Sequence, residues 1–536
     1  MTSQTTIEKS SPGGEPVPAP AKGLRGHPWL TLFAVAVGVM MVALDGTIVA
    51  IANPAIKADL GASWAQVQWI TNGYLLALAV SLITAGKLGD RFGHRQTFLI
   101  GIAGFAVASA AIGLSDSIAL VITFRVLQGV FGALLMPAAL GLLRATFPAE
   151  KLNMAIGIWG MVIGASTAGG PIVGGLLVEH VSWQSVFFIN VPVGVVALAL
   201  GLIILLDHRA ENAPRSFDVV GIVLLSGAMF ALIWAIIKAG ESWGWDSFRT
   251  WAWLVGAVVL FAVFAFWETK VAEPLIPLGL FRSVPLSAGT VLMVLMAFAF
   301  LGGLFPVSFF LQGVHGMSPV DSGLHLLPLT AMMIVSSPIA GALITKFGPR
   351  IPLVGGMVFT AVAMFGMTTL VKDTSTLAMS IWFAVLGLGL APVMVGATEV
   401  IVGNAPLELS GVAGGLQQAA MQVGGALGTA VLGAVMSSKV NSDFAANWRE
   451  SGIPTPPDPR LQAAAESGVA PAELAKAPGM TPDILARITD VIHDTFLSGM
   501  HLAFLVAGVV AVVAALVATL TKRGANAEAG GGGVHI

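Results

Sequence analysis

Asp45 is the residue with the most chemistry to offer. It stands in Val42-Ala-Leu-Asp-Gly-Thr-Ile-Val-Ala50, inside an apolar run from Trp29 to Pro54. A charge near the centre of a bilayer costs about 2.5–3.5 kcal/mol on insertion scales. Such a group is usually buried in a helix bundle, paired, or part of an ion pathway. Arg125 is the other candidate, the only Lys or Arg well inside a predicted span. It lies about 8 residues from the outer end near Ser117, roughly 12 Å at the helical rise. Asp45 lies about 9–11 residues from the outer end of its own run, roughly 14–16 Å. The depths nearly match, which predicts that Arg125 faces Asp45 directly, or reaches it through a water or Gln128. Loss of water favours a neutral acid and a cationic partner favours a charged one. A change in their separation or hydration would therefore switch proton affinity. The plainer alternatives are a permanent structural ion pair or an Asp hydrogen-bonded to a neighbouring helix.

The elements that hold these residues are membrane spans. Of the 536 residues, 56% are hydrophobic and 10% charged, with a mean hydropathy of +0.88. Soluble proteins carry about 25% charged residues, so this is an all-α polytopic membrane protein. A net charge of −2 gives no reason to expect a nucleic-acid partner. The absence of cysteine excludes disulfides, thiol catalysis and Cys-ligated metals. His residues are scattered without metal-ligand spacing, which leaves a membrane-bound enzyme nothing to work with. Abundant Ala, Gly and Val with scarce Lys hint at a high-GC bacterial genome.

At about 20 apolar residues per span, the sequence divides into fourteen: 29–54, 66–86, 96–115, 118–143, 153–178, 184–206, 218–238, 251–268, 286–311, 321–345, 350–371, 376–402, 410–437 and 497–521. Lys and Arg concentrate on one side of this topology, which places both termini in the cytosol. The expected organisation is a disordered tail (1–28), a six-helix bundle (29–206), two inserted spans with linkers (207–283), a second six-helix bundle (284–521) and a cytosolic tail (522–536). A long outer loop, 438–496, carries apolar residues at helical spacing over Asp483–Leu497. That pattern predicts a short amphipathic helix or hairpin over the outer vestibule; a linker without function is the alternative. Two basic turns, Gly86-Lys-Leu-Gly-Asp-Arg-Phe-Gly-His-Arg95 and Gly341-Ala-Leu-Ile-Thr-Lys-Phe-Gly-Pro-Arg350, recur in register. They imply an internal duplication, and transporters commonly bind substrate between such halves.

These motifs resemble those of the major facilitator superfamily, in particular its fourteen-helix drug:proton antiporter branch. Gly86–Arg95 is similar to the loop signature between spans 2 and 3, and Arg125, Gln128 and Gly129 to the span 4 signature. Gly164-Ala-Ser-Thr-Ala-Gly-Gly-Pro-Ile-Val-Gly-Gly175 resembles the span 5 antiporter signature. Leu44–Val49 resembles the branch's span 1 motif, and Trp183 with Phe188-Ile-Asn-Val-Pro192 the start of its span 6. Departures are Ala50 and Asn53 in span 1, and Thr345 where the second basic turn would carry Asp.

The resemblance implies two pseudo-symmetric six-helix bundles and alternating access. It implies a proton-coupling group of Asp45, Arg125 and Gln128, and gating by Gly86, Asp90, Arg91, Arg95, Gly169, Gly170 and Pro171. Asp90 is expected to approach the cytosolic start of span 13 near Ser410, because a carboxylate is favoured at a helix N-terminus. Candidates to line a central cavity are Trp69, Asn72, Tyr74, Phe305, Phe309, Gln312, Gln417, Gln418 and Gln422. Together these features lead us to expect a monomeric, multi-pass exporter in the cytoplasmic membrane, lying in the lipid bilayer. It takes lipophilic small molecules or antibiotics, with protons as coupling ion and no cofactor. A proton-coupled uptake permease, a membrane-bound enzyme and a non-transporting sensor are the alternatives.

Overall fold

The structure, a computed structural model, describes residues 24–206, 218–272, 274–406, 410–453, 459–470 and 480–522. The two expected tails therefore lie largely outside the described residues, as do the side chains of Asp90 and Ser410. Among the described residues the regular structure is helical. The first bundle contains α1 (Pro28–Leu60), α2 (Trp64–Phe92), α3 (His94–Gly113), α4 (Ile118–Thr146), α5 (Ala149–His180), α6 (Ser185–Phe188) and α7 (Asn190–Ile204). The inserted pair is α8 (Val219–Lys238) and α9 (Phe248–Glu268). The second bundle contains α10 (Val284–Phe309), α11 (Pro319–His325), α12 (Leu327–Phe347), α13 (Arg350–Met367), α14 (Thr376–Gly403), α15 (Ser410–Glu450), α16 (Pro459–Ala465) and α17 (Pro482–Ala518). α6 with α7, and α11 with α12, each form one span. Twelve spans are long and apolar enough to cross a membrane, and the bent α5 makes a thirteenth. The remaining expected span, 66–86, is helical throughout as α2 but is not among those counted.

Local chemistry sets several boundaries. α1 starts with Pro at its first turn, where the missing N–H costs nothing. It continues through Pro54 and stops only at Gly61, whose positive φ of 59° ends it. The expected end at Pro54 is thus corrected: the helix runs on to Leu60. α2 opens with a capping box in which Ser63 and Gln66 satisfy each other's backbone N–H groups.

The outer segment also differs from expectation. Instead of one loop over 438–496, α15 continues to Glu450, α16 follows, and α17 begins at Pro482 and runs unbroken into the membrane span. The amphipathic stretch at Asp483–Leu497 is the first part of that long helix. Val440, Phe444 and Trp448, four residues apart, are buried along the extension of α15. Ser437 Oγ donates to Glu466 at 2.6 Å and Gln462 Nε2 to Asn441 at 2.8 Å, tying the segment around α16 down. Burial pushes the Glu466 carboxyl above the usual carboxylate range, opposed by the Ser437 hydroxyl and by Lys57.

The two bundles meet at the end that the Lys/Arg distribution places outside. A Cβ on Gly175 would run into Pro319 O, and one on Gly323 into Pro171 O, so α5 and α11 touch backbone to backbone. Glu179 accepts from Val320 N at 3.0 Å, and Gln312 Nε2 donates to Ile51 O at 3.0 Å. Trp64 Nε1 donates to Gly433 O at 3.2 Å and its ring packs between Phe305 and Phe309. Toward the other end, Gly160 and Gly164 of α5 and Gly341 of α12 have open space where a Cβ would stand. The bundles are closed together at the first of these ends. α8 lies against α2 and α15, beside the seam between them.

Closure depends on glycine at that contact, so Gly323→Val is expected to weaken it by the roughly 1–3 kcal/mol of an overpacked site. The chain lacks cysteine, which makes Asn53→Cys a clean reporter inside the bundle. Labelling of that cysteine in intact cells by a membrane-impermeant maleimide should accelerate about five- to a hundredfold in the Gly323→Val background. An unchanged rate would mean that this contact does not hold the outer side shut.

Candidate functional site

Asp45 sits in mid-α1 and is fully buried. Arg125 and Gln128, one helical turn apart, present the same face of α4 to it. Arg125 Nη1 donates to Asp45 Oδ2 at 2.5 Å and to Gln128 Oε1 at 2.6 Å. Its Nε donates to the carbonyl of Ile70 at 3.2 Å, and its guanidinium lies 4.0 Å from the centre of the Tyr74 ring. The second carboxylate oxygen, Oδ1, accepts from Gln128 Nε2 at 3.0 Å and from Asn190 Nδ2 at 3.4 Å. Both amides also donate to Ser109 Oγ, each at 2.9 Å. A buried ion pair needs its remaining hydrogen-bonding capacity met; here two amides and a backbone carbonyl bond the pair, and the Ser109 hydroxyl holds the amides in place.

Glycines bring the helices close enough for this. A Cβ at Gly129 would stand 2.5 Å from Tyr74 O, so α4 can press against α2 only with glycine there. At Gly170 a Cβ would run into Thr47 Oγ1, and at Gly174 it would stand 2.9 Å from Ile48 O. Thr47 Oγ1 donates to Thr167 O at 2.9 Å. These contacts fasten α5 onto α1 beside Asp45.

Arg125, but not Asp45, borders a central cavity between the bundles. Asn53, Tyr74 and Arg125 line it from one side, and Leu301, Phe305 and Thr429 from the other. With the outer ends closed it has room for little more than a water molecule. Of the candidate lining residues, Tyr74 and Phe305 are there. Phe309 is behind them, stacked on Trp64 and Phe305. Trp69 turns away and packs on Phe230 and Trp234 of α8, because the inserted helices cover that face of α2. Gln312 is spent on the inter-bundle bond to Ile51, and Gln417 points at Met293 Sδ, 3.9 Å away. Gln418 and Gln422 are half-buried on α15 outside the cavity lining, and Asn72 is fully buried with neither amide atom hydrogen-bonded.

Among the gating candidates, a Cβ on Gly86 would meet Pro137 only at an ordinary contact distance of 3.7 Å, and Gly169 faces open space. Pro171 supplies the carbonyl under Gly323. Arg95 donates to Leu202 O at 3.2 Å, fastening the turn to α7, while the Arg91 guanidinium lies over Phe92. The expected approach of Asp90 to Ser410 falls outside the described side chains. Sequence reasoning missed Ser109 and assigned no role to Asn190. The one polar residue of α3 beyond its first turn, and an Asn opening an apolar run, were the available signals.

Residues 35–429 match the family model of the Major Facilitator Superfamily. The chain is 65% identical over 504 residues to the tetracenomycin C resistance and export protein of Streptomyces glaucescens, covering 94% of this chain and 93% of that one. It is 34% identical over 499 residues to the multidrug efflux pump LfrA of Mycolicibacterium smegmatis, covering 92% and 96%. Among solved structures, an inward-facing bacterial homologue of the human lysosomal transporter Spinster superposes with a TM-score of 0.61 at 16% identity, covering 93% and 98%.

Removing one partner of a buried pair leaves an uncompensated charge, at a cost of about 3–5 kcal/mol. Arg125→Ala should therefore lower the thermal unfolding midpoint, followed by tryptophan fluorescence in detergent. The double variant Asp45→Asn/Arg125→Ala should be more stable than Arg125→Ala alone, since the stranded carboxylate is gone. Additive losses would show that the two side chains are not energetically coupled.

Proposed function

We propose a proton-driven exporter of lipophilic antibiotics: the chain belongs to the major facilitator superfamily, its relatives include resistance and efflux proteins, and a fully buried acid is paired with a base that lines the central cavity. The observation that carries this reading is the contact of Asp45 with Arg125, which lines that cavity. A carboxylate held by a guanidinium is charged; once the guanidinium moves or is rewetted, the same buried carboxyl favours its neutral form. Proton uptake at Asp45 and movement of Arg125 are then two sides of one equilibrium.

The cycle we infer runs by alternating access. With the bundles parted inside, a substrate enters from the cytosol or inner leaflet and settles against Tyr74 and Phe305. The bundles rock, the α5–α11 contact opens and the substrate leaves. A proton from outside takes Asp45, the outer contact re-forms, and the proton leaves inward. Each imported proton supplies about 1.4 kcal/mol per pH unit and about 2.3 kcal/mol per 100 mV. The described cavity lining has aromatic and aliphatic walls, Arg125 as its charged group and no carboxylate. That chemistry suits a neutral or anionic aromatic compound over a dication, and tetracenomycin C is the first compound to test.

Inside-out vesicles with an acid interior provide the experiment. Tetracenomycin C added outside should dissipate the pH gradient in wild-type vesicles, and Asp45→Asn should abolish the response. An equal response from both would remove Asp45 from proton coupling; a response from neither would overturn the substrate class.

A further inference from the structure

Far from Asp45, two acids meet at the cytosolic tips of the inserted helices. Asp218 caps α8 and Glu268 ends α9; they are 7% and 4% exposed. Asp218 Oδ1 accepts from Gly221 N at 2.8 Å and from Trp267 Nε1 at 2.7 Å. Glu268 Oε2 accepts from Ile276 N at 2.9 Å. The other two oxygens, Asp218 Oδ2 and Glu268 Oε1, receive no hydrogen from any donor. They overhang the same point: a Cβ on Gly221 would run into the first and stand 2.7 Å from the second. Among the described residues the two unpartnered oxygens thus face each other with no donor between them. Two carboxylates cannot bond face to face, since both are acceptors only, and burial and mutual repulsion oppose ionising both. A proton on one carboxyl supplies the missing donor.

We propose that Asp218 and Glu268 form a second proton-binding site, on the cytosolic side, which holds one shared proton and thereby clasps the inter-bundle linker to the inserted helices. The clasp is set by what surrounds it. Glu268 grips the linker through Ile276 N, and Leu275 beside it is buried. One residue earlier, the carbonyl of Pro274 accepts from Lys87 Nζ at 3.0 Å. Lys87 belongs to the basic turn after α2 and is the charged group, among the described residues, that faces the pair from the first bundle. The linker leading into α10 is therefore tied at adjacent residues to the inserted helices and to the first bundle.

The sign follows from linkage. The paired state binds the proton more tightly than two separated, hydrated carboxyls do. The proton therefore stabilises the clasp at low cytosolic pH, and that contribution is lost as pH rises through the pair's apparent value. Above it, two negative charges share one buried pocket and the linker is released. The site reports cytosolic pH to the segment joining the bundles. It does not rest on the export reading and needs no substrate.

Trypsin applied to inside-out vesicles tests this, because Lys270 and Arg282 flank the linker and are exposed. Cleavage there, read by fragment mass, is compared with Glu268→Gln at each pH. The amide of that variant donates to Asp218 without a proton and still accepts from Ile276 N. At about pH 6 the wild type should be cut as slowly as Glu268→Gln; near pH 8.5 it should be cut about tenfold faster, the ratio set by one pH unit of coupled binding. Asp218→Asn, which keeps the cap oxygen and supplies a donor to Glu268, should behave like Glu268→Gln. The proposal is overturned if the wild type tracks Glu268→Gln across the range, or if both neutral variants show the wild-type rise at alkaline pH.

Discussion

An ion pair without water must find every hydrogen bond within the protein, and the first bundle is built around that requirement at Asp45 and Arg125. The carboxylate has two oxygens to satisfy and the guanidinium several N–H groups. The solution draws on five helices: α1 and α4 for the charges, α2 for the Ile70 carbonyl and the Tyr74 ring, α3 for Ser109, and α7 for Asn190. No helix can shift much without stranding a polar group, and a stranded buried charge costs several kcal/mol. The glycines follow from the same demand. Gly129 and Gly170 stand where the backbones must approach to bring short side chains such as Ser109 and Thr47 within bonding distance.

This arrangement separates the group that binds charge from the contact that moves. The whole Asp45 network belongs to one bundle, whereas the outer closure is made between bundles by Gly175, Gly323, Gln312 and Trp64. Rocking the bundles need not tear the network apart. What rocking changes is the wall of the cavity, where Arg125 is shared between the network and the space that water and ligand reach. In the proposed cycle, the change at that wall is the link between a proton and a rigid-body motion.

Much of this was legible in the sequence because membrane helices announce themselves by composition. The span positions follow from apolar runs, and the equal depths of Asp45 and Arg125 anticipate a contact that the structure makes directly. The failures have two causes. Hydropathy sees a helix only while it is in lipid, so the continuation of α15 past the membrane, with the polar Lys439, Asn441, Asp443 and Asn447, read as loop. The stripe of Val440, Phe444 and Trp448 carried the missing signal. Trp69 was misplaced for another reason: single-chain reading cannot tell which face of α2 the inserted helices cover. The Gln residues of α15 met the same limit, because polarity marks what could line a cavity but not what a neighbouring helix has already claimed.

The internal duplication gives the two bundles one architecture and different chemistry. The first bundle supplies the acid, the base and the amides that hold them. The second faces the cavity with Leu301, Leu304, Phe305 and Thr429, backed by Met293, Met296 and Met364 in its core. Its basic turn carries Thr345 at the place of Asp90 in the first. A site with charge on one wall and adaptable apolar surface on the other can treat its two ligands differently. In the cycle we propose, the proton is bound by geometry fixed within a bundle, and the lipophilic molecule by surface that forms only when the bundles face each other. Methionine and aromatic side chains repack around varied shapes at little cost, so breadth of substrate on the second wall does not compromise the tight pairing on the first. The inserted helices add a third element, resting on the seam between the bundles with their own acid pair at the cytosolic tip.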